Sequence, residues 1–176
     1  MEQALEEKKI TSTEVYRGSF LRIYEDKLEL PNGKEASREY VKHPGATAVV
    51  PITEDGRIVM VRQYRYPVGQ VTLEIPAGKL DAGEAPLICA QRELKEETGY
   101  VAESWTKLTS LLTTPGFTDE VIHLYKAENM RFDVACPDED EFINTCLYTP
   151  DELRQMIADE TITDAKTIVA LLMAGI

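Results

Sequence analysis

The sequence predicts an α/β fold, an α/β/α sandwich with a mixed sheet, preceded by antiparallel strands. Three observations predict it. Strand-like and helix-like segments are interspersed without strict alternation, which favours a mixed sheet over a doubly wound parallel one. Ala48, Val49, Val50 and Ile52 form a compact, largely β-branched run of the kind a buried strand carries. Pro86 and Gly99 bracket a helix over residues 86–98, proline being suited to the first turn and glycine to the position just past the end.

The elements follow in chain order. Residues 1–43 read as mostly strand and polar. Residues 28–30 lead into Pro31, Asn32, Gly33 and Lys34, and the chain resumes over 37–42, so Asn-Gly marks a hairpin turn. A second hairpin is expected from 46–52 through Glu54, Asp55 and Gly56 to 58–64. Further strands are predicted at 71–75, 105–112, 121–127 and 141–148. Thr149 as N-cap and Pro150 at the first helical position open a helix over 150–159. A last helix covers 164–173, with Ile168, Leu171 and Leu172 on one side. Residues 1–43 look too thin to bury a core alone, so they are expected to form a dimer-forming strand region ahead of a main domain over 44–176.

Composition narrows the function classes. The chain has 176 residues, 43% hydrophobic and 28% charged, with a formal net charge of −12. A nucleic-acid polyanion would be repelled, and no basic stripe reverses that. No run of about 18 apolar residues predicts a membrane span, and the charged N-terminal stretch lacks an apolar signal core. Cys89, Cys136 and Cys146 show no metal spacing and cannot all pair, which points to a reduced, cytoplasmic protein.

The chemistry-bearing segment is the predicted helix 86–98 and the loop before it. Glu93, Glu96 and Glu97 stand three and four residues apart, so on a helix they share one side. Their mutual repulsion becomes binding energy if a divalent cation sits among them, and hard oxygen donors suit Mg²⁺, with Mn²⁺ as the alternative. Leu87, Ala90 and Leu94 form a neighbouring apolar stripe that can pin the helix to a sheet. Arg92 is placed to tie back to Glu84 and so fix the loop that Gly78 and Gly83 bound, and the Ala77 carbonyl can add an oxygen.

Gly78, Glu84, Arg92, Glu93, Leu94, Glu96, Glu97, Gly99 and Tyr100 match the pattern G-x5-E-x7-R-E-U-x-E-E-x-G-U, where U is bulky apolar or aromatic. The segment thus resembles the Nudix hydrolase signature at every specified position. The resemblance implies a Nudix-type α/β/α sandwich over 44–176 and hydrolysis of a nucleoside diphosphate linked to another moiety. It implies metal binding by Glu93, Glu96 and Glu97, with Arg92, Glu84, Gly78 and Gly99 supporting the loop and helix.

Three further stretches resemble the ADP-ribose pyrophosphatases within that family. Pro115 lies 16 residues beyond Gly99, in a run from Thr113 to Glu120 that is similar to that group's proline marker, and the likeness implies substrate contacts from Gly116 and Glu120. The acidic run Asp138, Glu139, Asp140 and Glu141 is similar to a loop that folds over the metals. It implies Glu139 as the base that deprotonates water and Glu141 as a second contact to metal or water. Gln63 and Arg65, in Arg62-Gln63-Tyr64-Arg65-Tyr66, match a phosphate-side motif, Phe20 matches a position that packs on adenine, and Arg38 and Glu39 fall where N-terminal strands reach a partner's site. His43, His123 and Cys89 are expected to be structural. The implied reaction is Mg²⁺-dependent hydrolysis of ADP-ribose to AMP and ribose 5-phosphate by a homodimer. The rivals are another nucleoside diphosphate sugar or dinucleotide as substrate, an oxidised nucleoside triphosphate, or a non-catalytic module that binds ADP-ribose. The unbroken set of acids argues against the last.

Overall fold

Two apolar runs set the architecture. Ala46–Pro51 is buried at all six positions, and the first four residues of Ile58–Arg65 are fully enclosed. In the computed structural model, which describes residues 4–134 and 142–176, these are strands β4 and β5. Before them come β1 (Lys8–Arg17), β2 (Arg22–Glu29) and β3 (Glu35–Lys42). After them come β6 (Gln70–Glu74), β7 (Ala77–Lys79), α1 (Pro86–Thr98), β8 (Tyr100–Leu112), β9 (Val121–Phe132), β10 (Asn144–Tyr148), α2 (Pro150–Ala158) and α3 (Ala165–Met173).

Among the described residues the strands form three sheets. The first is β1-β2-β3, antiparallel throughout. The second is β10-β5-β6, also antiparallel. The third is β7-β4-β9-β8, mixed, because β4 runs antiparallel to β7 and parallel to β9. The α/β class and the mixed sheet agree with the sequence.

The expected hairpin over 46–64 is corrected. β4 and β5 lie in different sheets; they share core clusters, but the backbone pairing between their segments among the described residues is the single antiparallel bridge Ile52↔Ile58, just past the end of β4. Each has both edges taken, β4 by β7 and β9 and β5 by β10 and β6, so neither has an edge for the other. The Thr53–Gly56 turn carries the chain from one sheet to the other.

Alternation along β4 shows how it is buried on both faces. Val49 joins Ala90 and Leu94 of α1 in one apolar cluster, whereas Ala46, Ala48 and Val50 join Ala170 and Leu171 of α3 and Leu153 of α2 in the other. α1 and α3 thus cover opposite faces of β4, the sandwich that the sequence predicts. The Thr149 capping box, with Thr149 and Glu152 bonding each other's backbone, starts α2, and the Asp164 side chain caps α3. No helix is long and apolar enough to cross a membrane among the described residues.

The chain divides into two compact units. One comprises Met1–His43 with Leu112–Val121, and the other comprises Pro44–Leu111 with Ile122–Ile176. Within the first, the backbone of Val41 bonds to Phe117 and Asp119, which stitches the 112–121 segment to β3.

Candidate active site

α1 is built to face two environments. Pro86 occupies its first turn, and it ends where Gly99, at φ 75°, returns its N–H to the Lys95 carbonyl. Ala90 and Leu94 are fully buried against the sheet. Leu87, expected on the same stripe, is 37% exposed. The helix also buries two carboxylates, Glu93 at 7% and Glu97 at 4% exposure. Buried ionised groups are costly without partners, and here β7 supplies part of the compensation. The Ala77 N–H donates to Glu97 Oε2 at 3.1 Å. A Cβ at Gly78 would fall 1.8 Å from Glu93 Oε1, so only glycine lets the backbone come this close. The sequence predicts loop throughout the segment of residues 78–83. Its start is strand, because Ala77–Lys79 pairs with Ala46–Ala48 of β4 and is thereby fixed.

Arg92 organises the acids. It grips Glu84 through two bonds, Nε to Oε1 and Nη2 to Oε2, both 3.0 Å. Its Nη1 donates to Glu93 Oε1 at 2.8 Å and to Glu96 Oε2 at 2.9 Å, and Nη2 also reaches the Lys79 carbonyl at 3.2 Å. The Asp81 N–H donates to Glu84 as well, at 3.0 Å. These bonds, Arg92's first, hold the Glu84 carboxyl at about 2, so it stays ionised. The bonds to Glu93 and Glu96 were not foreseen from spacing. Cys89 lies beneath this loop, accepting from Thr47 Oγ1 at 3.4 Å and donating to the Lys79 carbonyl at 3.3 Å. Burial pushes its thiol up to about 11, which makes it packing and not a nucleophile.

Gln63 and Arg65 project from one face of β5. Arg65 forks onto Glu74 of β6, Nε to Oε1 at 2.8 Å and Nη2 to Oε2 at 2.7 Å. Thr72 Oγ1 donates to Glu74 Oε1 at 2.6 Å, and the Lys166 ammonium bonds Oε2. Burial alone would push the Glu74 carboxyl up, but Arg65 and Lys166 outweigh it and hold it at about 2. Sequence reasoning missed Glu74. A signal was available, because an acid between Leu73 and Ile75 in a buried strand must be paired.

In the first unit, Phe20 sets its ring edge-on to His43, centroids 5.6 Å apart. His43 Nε2 lies 3.4 Å from Glu120 Oε1, and Thr113 Oγ1 donates to Glu120 Oε2 at 2.7 Å. Phe20 and Glu120, two of the expected substrate contacts, thus meet at His43, for which the sequence predicts a structural role. Gly116 is exposed in the turn closed by Phe117 N–H to the Thr114 carbonyl at 3.0 Å. Arg38 and Glu39 are exposed neighbours on β3, and Arg38 is paired with Glu7. Glu139 and Glu141 lie outside the described residues.

The NUDIX domain profile matches residues 41–171, which take in the whole carboxylate helix and its loop. The chain belongs to the Nudix family. A second profile, described as the nucleoside diphosphate sugar hydrolase N-terminal domain, matches residues 7–41. Among similar proteins, an ADP-ribose pyrophosphatase of Bacillus subtilis is 43% identical over 96% of this chain and 92% of its own length. A methanol dehydrogenase activator of Bacillus methanolicus is 46% identical over 97% of this chain and 94% of its own. A crystal structure of an ADP compounds hydrolase superposes with a TM-score of 0.87 at 23% identity, covering 98% of this chain and 95% of that one, which shows the shared Nudix fold.

The donor chemistry of this Nudix helix fits a hard divalent cation. Glu93 and Glu97 present carboxylate oxygens from one helix face, with Glu96 beside them, while the Cys89 thiol stays engaged with Thr47, the Lys79 carbonyl and Arg92. Among the described residues the acids do not already close into a three-ligand cage. Arg92 stands between Glu93 and Glu96, and Glu97 is bonded to the backbone of β7.

Proposed function

We propose that this chain is a Mg²⁺-dependent Nudix hydrolase that splits the diphosphate of ADP-ribose into AMP and ribose 5-phosphate, and that it works as a homodimer. The observation that carries the reading is the burial of two carboxylates, Glu93 and Glu97, against the backbone at Ala77 and Gly78, with Arg92 braced on Glu84 beside them. Two buried anions one helical turn apart are a poor way to stabilise a fold and a suitable way to hold cations.

In this reading Glu93, Glu96, Glu97 and the Ala77 carbonyl hold Mg²⁺. When bound, Mg²⁺ screens the diphosphate, stabilises charge in the in-line transition state and acidifies water. The chain's own groups do the rest. Arg92 keeps its fork on Glu84 and so keeps the loop at the helix N-terminal end in place. Glu139 takes a proton from the attacking water, and Glu141, in the same acidic run, assists. Water adds at one phosphorus as the P–O–P bridge breaks, leaving one phosphate on each product. Arg65 and Gln63 face the phosphates, Phe20 packs on the adenine, and Gly116, Glu120, Arg38 and Glu39 contact the remainder of the substrate. Support for ADP-ribose comes from the B. subtilis relative and from the N-terminal match to nucleoside diphosphate sugar hydrolases.

A panel of nucleoside diphosphate sugars, assayed with and without Mg²⁺, tests this. AMP release from ADP-ribose should dominate. A GDP-mannose pyrophosphatase of Yersinia enterocolitica, 35% identical over 78% of this chain, names the alternative to include. Glu97→Gln should lower kcat by at least about 100-fold, comparable to losing a major electrostatic stabiliser. Turnover near wild type at saturating Mg²⁺ would remove Glu97 from the ligand set. The B. methanolicus relative motivates a second reading, action on a methanol dehydrogenase, which adding this chain to such an enzyme would test.

A further inference from the structure

The Glu74 network has features that a simple ion pair does not need. Glu74 is 2% exposed, and its two oxygens receive four donors: Arg65 Nε and Thr72 Oγ1 on Oε1, Arg65 Nη2 and Lys166 Nζ on Oε2. A carboxylate bonded on both sides of both oxygens cannot rotate, so the fork fixes the plane of the Arg65 guanidinium. Lys166 is itself held by Asp164 at 2.9 Å, and Asp164 caps α3 through the Thr167 N–H at 3.0 Å. Thr167 Oγ1 in turn accepts from the Ile75 N–H at 3.0 Å, which ties the start of α3 to the residue after Glu74.

The network leads outward. The Arg65 side chain is 41% exposed although its partner is almost completely enclosed, and its Nη1 has no hydrogen-bond partner among the described residues. Glu74 above all, and Glu97 among more distant anions, reinforce the Arg65 charge, so the guanidinium lies within electrostatic reach of the carboxylate helix. Replacing a buried ion pair with apolar residues is often neutral or stabilising, so stability alone does not account for a half-exposed arginine with one edge left open.

We propose that Glu74 is a positioning residue: it holds Arg65 so that the open edge of the guanidinium meets the substrate diphosphate in one orientation, and Lys166 and Thr72 keep Glu74 in place. The inference rests on the function proposed above. It locates phosphate binding in a relay from α3 through β6 to β5, with Glu74 acting on substrate only through Arg65.

Steady-state kinetics of the full chain with ADP-ribose at saturating Mg²⁺ tests it. Glu74→Gln should raise KM about tenfold and change kcat by less than about threefold, since an arginine that binds ground and transition states alike acts on KM. Arg65→Ala should raise KM at least as much, and adding Glu74→Gln to it should change KM less than about twofold, because Glu74 then has nothing to orient. Arg65→Lys, which keeps the charge and loses the fork, should behave like Arg65→Ala. Additive effects of the two substitutions, or a wild-type KM in Arg65→Lys, would overturn the proposal. The lysine variant decides if Glu74→Gln does not fold. A wild-type chain that cleaves no nucleoside diphosphate sugar would overturn the functional reading and this inference together, whereas an active wild type with additive variants overturns this inference alone.

Discussion

A methyl group at position 78 would fall 1.8 Å from Glu93 Oε1, closer than any non-bonded pair tolerates, and the obstacle is a carboxylate hemmed in by Arg92 and the helix. Gly78→Ala must therefore push Glu93 away from β7 or push β7 away from β4. It should cost about 1–3 kcal/mol of stability, as overpacking does, and lower kcat at least tenfold by displacing a proposed ligand. A melting curve and an Mg²⁺ titration of activity check both parts, and an unchanged Mg²⁺ dependence would dissociate Glu93 from the metal. At this scale the sequence was informative where spacing along one helix is geometry. Glu93, Glu96 and Glu97 share a side because three and four residues make one turn. It was uninformative where two elements meet, and neither the Gly78 contact nor the Arg65–Glu74 fork follows from positions along the chain. The second arm of Arg92 was hidden for a different reason, since a long flexible cation surrounded by acids has several partners within reach.

α1 is the element on which the site depends, and its end is set by Gly99. With φ at 75°, Gly99 turns the chain from α1 into β8 while its N–H satisfies the Lys95 carbonyl. Gly99→Ala places a side chain in the left-handed region and should destabilise the protein by about 1–2 kcal/mol, read as a lower urea midpoint with an unchanged slope. A substitution without effect would mean that the helix end relaxes freely. Both bounds of α1 were legible because Pro86 and Gly99 act through local sterics. Less of the sheet was legible. Asp-Gly at 55–56 marks a reversal but carries no information on whether the flanking strands pair or join separate sheets. Three-residue β7 is too short for any periodicity and exists because β4 offers it an edge. β8 and β9 extend past the predicted spans because their added residues, polar and apolar in irregular order, pair as strand only in the context of the sheet.

At the scale of the whole molecule, the N-terminal sheet is the part that looks incomplete. β1 is an edge strand with Ile10, Val15 and Tyr16 all more than half exposed. Edges of this kind are ordinarily blunted or covered, and a second copy of the chain is the proposed cover. Light scattering should report twice the chain mass at micromolar concentration, and a monomer would contradict it. That residues 1–43 are mostly strand was readable in the sequence. That the Thr113–Glu120 segment belongs with them was not, because the association is made by backbone bonds to Val41, for which side-chain identity gives no clue.

β4 has hydrogen-bonded neighbours along both edges and a helix over each face. Local opening begins where such protection is thinnest, so the amides of this strand are the last in its unit to trade their protons for deuterium. β7, the backbone against which Glu93 and Glu97 rest, hangs from that strand. The surface proposed to hold the diphosphate is therefore mounted on a strand protected on every side, and thermal loosening should reach the edges of that unit before it disturbs the proposed site.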